Sequence, residues 1–424
     1  MGRSVYRDPY EAALARLLEV PSSPRLGLER MATLLAGLDD PHRAFRSLHV
    51  AGTNGKGSVC AYLDAMLGAA SVRRGLTTSP HLASACERIQ IEGRPISRAR
   101  FVELEERVAR AAARLDEAPT FFERMIAMAF LAFAEEHVDV AVVEVGLGGS
   151  LDATNVLSPL ASGIARVGLD HQMFLGDSLA SIAREKAGIL KPGVPAGSAP
   201  QEQAAADVLR AIADEVGVPL RFVSDEDVLA LQSMELGLPG PHQRENAALA
   251  LAILDAARLV RDPDRRREGL ALARWPGRYE RVGDLRPILL DGAHNPLGAR
   301  TLAQALRADP LVGARPIALV VGMTRGHEGA DFARELAPLL NVQRVFAVRA
   351  RAPRSRPADE VAKDLEAGGL VPVEVRGVEA ALLEAQRWAE AEGGAVVVTG
   401  SLYLVGEVRS AFVEMDPDPA LPDF

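Results

Sequence analysis

The chain has 424 residues, 48% of them hydrophobic and 25% charged, and a formal net charge of −9. That length allows two or three globular domains, and an acidic balance without an extended basic run argues against a nucleic-acid partner. Two cysteines, Cys60 and Cys86, make neither a disulfide framework nor a metal motif. The first residues lack the apolar core of a signal peptide, and apolar runs such as Val138–Val145 are too short to span a membrane. The expectation is a cytoplasmic protein.

In chain order, Tyr10–Leu18 and Leu26–Leu38 are predicted helices. Ser47–Val50 reads as a short buried strand. The loop Gly52-Thr53-Asn54-Gly55-Lys56-Gly57-Ser58 follows, and then a helix with Val59, Leu63, Met66, Leu67 and Ala70 on its apolar face. Strand, glycine loop, helix is the order that cradles phosphate: glycines turn backbone N–H groups toward an anion, and the helix N-terminus adds partial positive charge. Lys56 would reach the β/γ-phosphates and Ser58 would bind magnesium. The common pattern G-x-x-x-x-G-K-[ST] fails twice. Val50 stands at its first glycine, and Gly57 follows the lysine, so the hydroxyl comes one residue late.

Thr77–Leu82 is a loop, because Pro80 disfavours helix at Ser79. Glu87–Glu92 alternates like a strand, and Ser97–Leu115 is a charged, exposed helix. Thr120 caps a helix running to about His137, with Glu123 at the capping-box position. Val138–Val145 has the near-continuous apolar run of a buried parallel strand, and Gly146–Asn155 is a loop. Ser162–Val167 is a strand that leads to His171, and Ser178–Ala187 is a helix. Pro239–Asn246 opens the helix Ala247–Leu259, and Trp275–Arg278 closes the first domain. From Pro287 a second alternation of strands and helices begins, and the Pro/Asp-rich tail Asp416–Phe424 is expected to be loose. The division expected is 1–282 and 283–424. Loops at the carboxyl ends of predicted strands supply Lys56, Ser58, Ser79, His81, Glu144 and His171, where open α/β sheets bind ligands. Oxygen donors and one histidine without thiolates suit magnesium better than zinc.

The ordered stretches His49–Ser58, Thr78–Leu82, Glu87–Ile96, Thr120–Glu123, Glu144–Val156, Gly168–His171, Ile182–Lys191, Leu238–Ala250, Trp275–Arg278 and Asp291–Pro296 carry a resemblance over nearly the whole chain. The chain resembles the folylpolyglutamate synthase/dihydrofolate synthase family of Mur-ligase-like enzymes. The displaced hydroxyl of Gly-Lys-Gly-Ser is that family's form. The resemblance implies an α/β fold with a P-loop Mur-ligase-like ATPase domain and a smaller Rossmann-like α/β domain. It implies an ATP-dependent amide ligase joining L-glutamate to dihydropteroate or to the γ-carboxylate of reduced folates; no stretch resembles an exposed assembly helix, so a monomer is expected.

By the same resemblance, Thr53, Asn54, Gly55, Lys56, Gly57, Ser58, Asn246, Arg278 and Asp291 would bind ATP. Ser58 would hold one magnesium ion, and Ser79, Glu144 and His171 a second. Lys186 matches a lysine that is carbamylated in many relatives, His294 would orient groups in the cleft, Phe122 and Asp152 would contact the pterin, and Ser401 the glutamate. Two departures stand out. Ser150 replaces a usual arginine, and Gly322-Met323-Thr324-Arg325-Gly326-His327-Glu328 lacks the usual acidic-lysine motif. Three other readings remain open: a Mur-type peptidoglycan ligase, a P-loop NTPase switch or kinase, and a non-catalytic nucleotide-binding regulator. The stretches Thr78–Leu82 and Leu151–Asn155 favour the folate branch over the first. A switch would turn over without glutamate, and a regulator would release no phosphate.

Overall fold

The computed structural model describes residues 8–20, 27–283, 288–327, 329–352, 354–372, 374–375 and 377–418. Leu26, Pro287, Glu328 and the tail beyond Asp418, all used in the expectations above, lie outside them. Eight strands build the first sheet: β1 (Arg46–Ala51), β2 (Arg74–Thr77), β3 (Ile89–Ile91), β4 (Arg94–Pro95), β5 (Val140–Glu144), β6 (Ala161–Ile164), β7 (Ala196–Ser198) and β8 (Leu220–Phe222). Their order is β4-β3-β2-β5-β1-β6-β7-β8. β3 pairs antiparallel with both β2 and β4, and the remaining pairs are parallel. β5 and β6 are buried along their full length, as parallel strands covered on both faces must be.

The second sheet has six strands: β9 (Glu280–Val282), β10 (Ile288–Leu290), β11 (Ile317–Val321), β12 (Val342–Ala347), β13 (Glu374–Val375) and β14 (Ala395–Thr399). Their order is β13-β12-β11-β14-β10-β9, and only β9 runs antiparallel, against β10. β9 thus pairs in the second sheet although it precedes the expected division after Val282.

Several expectations need correction. The helix Lys56–Ala69 has no single apolar face: Gly57–Asp64, Met66 and Leu67 are all buried, because helices Gln243–Ala257 and Pro263–Leu272 pack against it in addition to the sheet. Helix Arg98–Ala112 is not simply exposed, since Phe101, Leu104 and Val108 are buried. The strand expected from Glu87 starts only at Ile89, because Glu87 closes a capping box with Ser84. Helix Gln243–Ala257 starts four residues early, so Asn246 sits in its first turn.

The tail is tied down as far as Asp418. Tyr10 donates its hydroxyl proton to Asp418 Oδ1 at 2.6 Å, and the Ala85 amide donates to Oδ2 at 2.9 Å. Arg98 pairs with Asp416 at 2.7 Å. The Thr120–Glu123 capping box is formed, and its helix runs Phe121–Glu135. Both cysteines are buried and free. Among the described residues, no helix is long and apolar enough to cross a membrane.

Candidate active site

The glycine loop bends where β1 ends. Thr53 fastens it to the first sheet, accepting the Gly168 amide at 3.1 Å and donating its hydroxyl to the Gly168 carbonyl at 3.0 Å. Gly55 has φ +90°, and a Cβ there would stand 2.5 Å from Asn246 Oδ1, so a side chain is excluded twice over. A Cβ on Gly57 would stand 2.6 Å from Trp275 Nε1. The indole therefore occupies the space that the Ser or Thr of a common P-loop would need, and the hydroxyl is carried instead by Ser58. Gln243 donates to Ser58 Oγ at 3.3 Å, and Asn246 donates to Gln243 Oε1 at 3.0 Å. Lys56 folds back over its own loop, donating to the carbonyls of Gly52 and Thr53 at 3.1 and 3.2 Å.

A cavity of about 190 Å³ opens over this loop. Thr53 to Ser58, Ser79, Glu144, His171, Lys186, Asn246, Arg278, Asp291 and His294 all line it. Both domains contribute, and the amides of Asn54 and Asn295 face each other across the junction at 2.9 and 3.0 Å. Glu144 is 6% exposed, and its Oε2 accepts the Ser79 amide at 3.0 Å. Burial pushes this carboxyl up, against the pull of Lys56 and the Ser79 amide. Its Oε1 has no protein donor among the described residues. A buried carboxylate with one oxygen left over, in a cavity that Ser79 and His171 also line, suits a magnesium ion. Burial brings His171 down to about 4, so the ring is neutral and a nitrogen lone pair is available.

Lys186 is 4% exposed, and burial together with the neighbouring Lys56 brings its amine down to about 7. Asp291 accepts the Tyr279 amide on Oδ2 and the Ala293 amide on Oδ1, both at 2.9 Å. A Cβ on Gly292 would stand 2.3 Å from Arg278 Nη1, so this glycine lets Arg278 lie against the loop.

Phe122, Asp152 and Ser401 are not among the residues lining this cavity. The Phe122 ring lies against the loop at Gly146, where a Cβ would stand 2.4 Å from its Cζ. Asp152 Oδ2 accepts the amides of Gly146 and Leu147 at 3.1 and 2.9 Å. Its Oδ1 accepts the Thr154 amide and hydroxyl at 3.0 and 2.5 Å. Four donors fill a carboxylate's usual capacity, so Asp152 holds the loop together. Ser401 caps helix Leu402–Arg409 through the Tyr403 amide at 3.2 Å. Ser150 donates to the Glu185 carbonyl at 3.2 Å and lies against Gly188, where a Cβ would come within 2.1 Å of its Oγ.

A second cavity of about 710 Å³ shares Gly57, Ser79, Pro80, Glu144, Arg278 and Leu402 with the first. Sequence reasoning assigned no role to Gln243, Asp170, Asn295 or Trp275. Gln243 and Trp275 lay inside quoted stretches, but only their contacts with Ser58 and Gly57 reveal what they do.

An α/β domain with a glycine loop after its central strand, and a smaller α/β domain whose Asp291 and His294 line the same cavity, make up the two-domain architecture of the Mur-ligase-like class. The model of the Mur ligase glutamate ligase domain matches residues 277–402. A dihydrofolate synthase/folylpolyglutamate synthase of Bacillus subtilis is 38% identical over 309 residues, spanning 66% of this chain and 72% of its own. The structure of Escherichia coli FolC with DHPP and ADP superposes with a TM-score of 0.84 at 30% identity, covering 96% of this chain and 98% of that one. The bifunctional enzyme of Yersinia pestis, solved with AMPPNP and a manganese ion, gives 0.81 at 32% identity, covering 96% and 98%. The chain belongs to the folylpolyglutamate synthase/dihydrofolate synthase family, and is an ATP-dependent ligase that joins L-glutamate to folates.

Proposed function

We propose that the chain is bifunctional, adding L-glutamate both to dihydropteroate and to the γ-carboxylate of reduced folates, as a cytoplasmic monomer. The observation that carries this reading is the single cavity that gathers Lys56, Ser58, Ser79, Glu144, Lys186, Arg278 and His294 around one phosphate loop. A carboxylate does not condense with an amine in neutral water. One of its oxygens attacks the γ-phosphorus of ATP, ADP leaves, and an acyl phosphate forms. The glutamate nitrogen then attacks the acyl carbon, loses a proton, and phosphate departs as the amide forms.

The residues supply positioning and charge. Thr53, Asn54, Gly55 and Gly57 present the loop's backbone to the phosphates, with Asn246 behind them and Asp291 on the nucleoside side. Lys56 swings from its loop carbonyls onto the γ-phosphate, and Arg278 meets the charge that develops there. Ser58 holds one magnesium ion, and Ser79, Glu144 and His171 hold a second. When bound, the two ions neutralise charge on the transferring phosphoryl group. Lys186 serves as its carbamate, an anion beside that second site. A neutral amine is the form that adds carbon dioxide, and a lysine held near 7 supplies it.

His294, whose Nδ1 donates to the Gly292 carbonyl at 2.7 Å, lines the cleft in which a substrate group is oriented. The larger cavity gives the carboxylate-bearing ends of the substrates an approach to Ser79, Glu144 and Arg278. Phe122 and Asp152 shape the pterin side by holding the loop Gly146–Asn155, and Ser401 acts on the glutamate side through the helix it caps. Closure of the domains keeps water from the acyl phosphate.

Phosphate release from ATP and magnesium tests this reading, with dihydropteroate, tetrahydrofolate and L-glutamate added singly and in pairs. Both pterin–glutamate pairs should stimulate release. Stimulation by one pair alone makes the chain monofunctional. Release without glutamate indicates an NTPase or kinase, and none with any mixture a regulator or a peptidoglycan-type ligase.

A further inference from the structure

We propose that Asp170, His294 and His327 bind one zinc-class dication that clasps the two domains together. Asp170 lies on the loop after β6 of the first domain, and His294 and His327 follow β10 and β11 of the second. One ligand atom from each residue can be chosen so that all lie within 4.8 Å of one another. The side chains of Asp170 and His327 are only 8% and 11% exposed.

The distances suit a shared cation better than direct hydrogen bonds. Asp170 Oδ1 stands 3.5 Å from His327 Nδ1, and Oδ2 stands 3.8 Å from His294 Nε2. Bonds of zinc length at tetrahedral angles put neighbouring ligand atoms about 3.3 Å apart, so a small contraction closes the site. His294 has its tautomer fixed from outside. Its Nδ1 donates to the Gly292 carbonyl at 2.7 Å, which leaves an Nε2 lone pair facing a carboxylate oxygen. Two acceptors turned toward each other need a cation or a proton between them. A carbonyl on the far nitrogen is the usual support of a metal-binding imidazole.

Asp170 is oriented in the same manner. Asn295 Nδ2 donates to Oδ2 and the His171 amide to Oδ1, both at 2.8 Å. Two imidazoles and one carboxylate favour zinc, cobalt or nickel over magnesium, which prefers oxygen ligands. The three ligands leave one tetrahedral position open. The site adjoins the proposed magnesium ligands, since His171 follows Asp170 and its ring centroid stands 5.5 Å from that of His327, but it uses none of Ser79, Glu144 and His171. It also gives a use to His327, in the loop that departs from the family's acidic-lysine motif.

The test is zinc binding to the metal-stripped full chain in saturating magnesium, which fills the oxygen-rich sites. We expect one zinc ion per chain, with affinity falling on the order of 100-fold in both His327→Ala and Asp170→Asn. Circular dichroism and retained ADP binding verify that each variant is folded. Cobalt(II) should give the intense visible bands of a four-coordinate site in the wild type and lose them in His327→Ala. Equal zinc affinity in the wild type and His327→Ala overturns the proposal. So does the absence of stoichiometric binding, or a loss that follows His171→Ala while His327→Ala binds normally.

Discussion

The Ser79 amide donates to Glu144 Oε2 at 3.0 Å, joining the loop after β2 to the last residue of β5. This single bond orients a buried carboxylate so that its other oxygen is left for the cavity. The neighbouring strands β2 and β5 are in parallel register through Thr77 and Val143, so the geometry is set by the sheet. Replacing the carboxylate by an amide separates its charge from its shape. Glu144→Gln can still accept from Ser79 but cannot neutralise a dication. We expect an unchanged melting temperature within a few degrees and a fall in turnover on the order of 100-fold or more. Turnover near the wild-type level across a magnesium titration would remove Glu144 from the metal site.

Trp275 against Gly57 accounts for the irregular phosphate loop. Gly57→Ser restores the hydroxyl of a common P-loop directly after Lys56. It nonetheless should impair the protein, because the new Cβ meets the indole at 2.6 Å. The cost should be about 1–3 kcal/mol of stability, with weaker ATP binding. Isothermal titration with a non-hydrolysable ATP analogue and a thermal melt measure both. Wild-type values in each would mean that the indole yields freely.

Lys186 should respond to carbon dioxide. With its amine near 7 and an ordinary value near 10.5, a large fraction is neutral at physiological pH. Enzyme purged of carbon dioxide should lose activity and regain it with bicarbonate, more completely above about pH 7 than below it. Carbon-13 bicarbonate should give a carbamate signal that is absent from Lys186→Ala. Full activity of the purged enzyme, with no such signal, would exclude the carbamate.

His49 links stability to pH. Its ring is buried in β1, with Nε2 2.8 Å from Thr154 Oγ1, and burial brings it down to about 3. The unfolded chain takes up that proton near pH 6.5, and the folded chain does not. The stabilisation is therefore complete above about pH 6.5 and is lost as pH falls toward about 3. Urea midpoints should drop between about pH 7.5 and pH 5, and His49→Gln should narrow the gap. An equal drop in both proteins would show that His49 is not responsible.

Much of this architecture was legible in the sequence, and the reason is local. Thr120 and Glu123 are three residues apart, and their capping box follows from that spacing alone. The strand at β5 and the phosphate loop were legible on the same grounds. What was not legible depends on long-range contacts. Trp275 meets Gly57, Gln243 meets Ser58, and Asp418 meets Tyr10, each pair separated by well over a hundred positions. A polar tail looks loose until its partner is known. Asp152 matches a pterin-contacting position by resemblance, whereas its bonds to the amides of Gly146, Leu147 and Thr154 come into view only in the folded loop. Which of these residues line the cavity and which pack around the loops depends on contacts that sequence spacing does not show.

The proposed chemistry rests on an acyl phosphate, and heavy-oxygen transfer tests that step most directly. Dihydropteroate labelled with oxygen-18 in its carboxylate is incubated with ATP, magnesium and L-glutamate, and the released phosphate is analysed by mass. Attack of the carboxylate on the γ-phosphorus carries one labelled oxygen into each phosphate as the amide forms. Phosphate without label, alongside full product formation, would contradict the account.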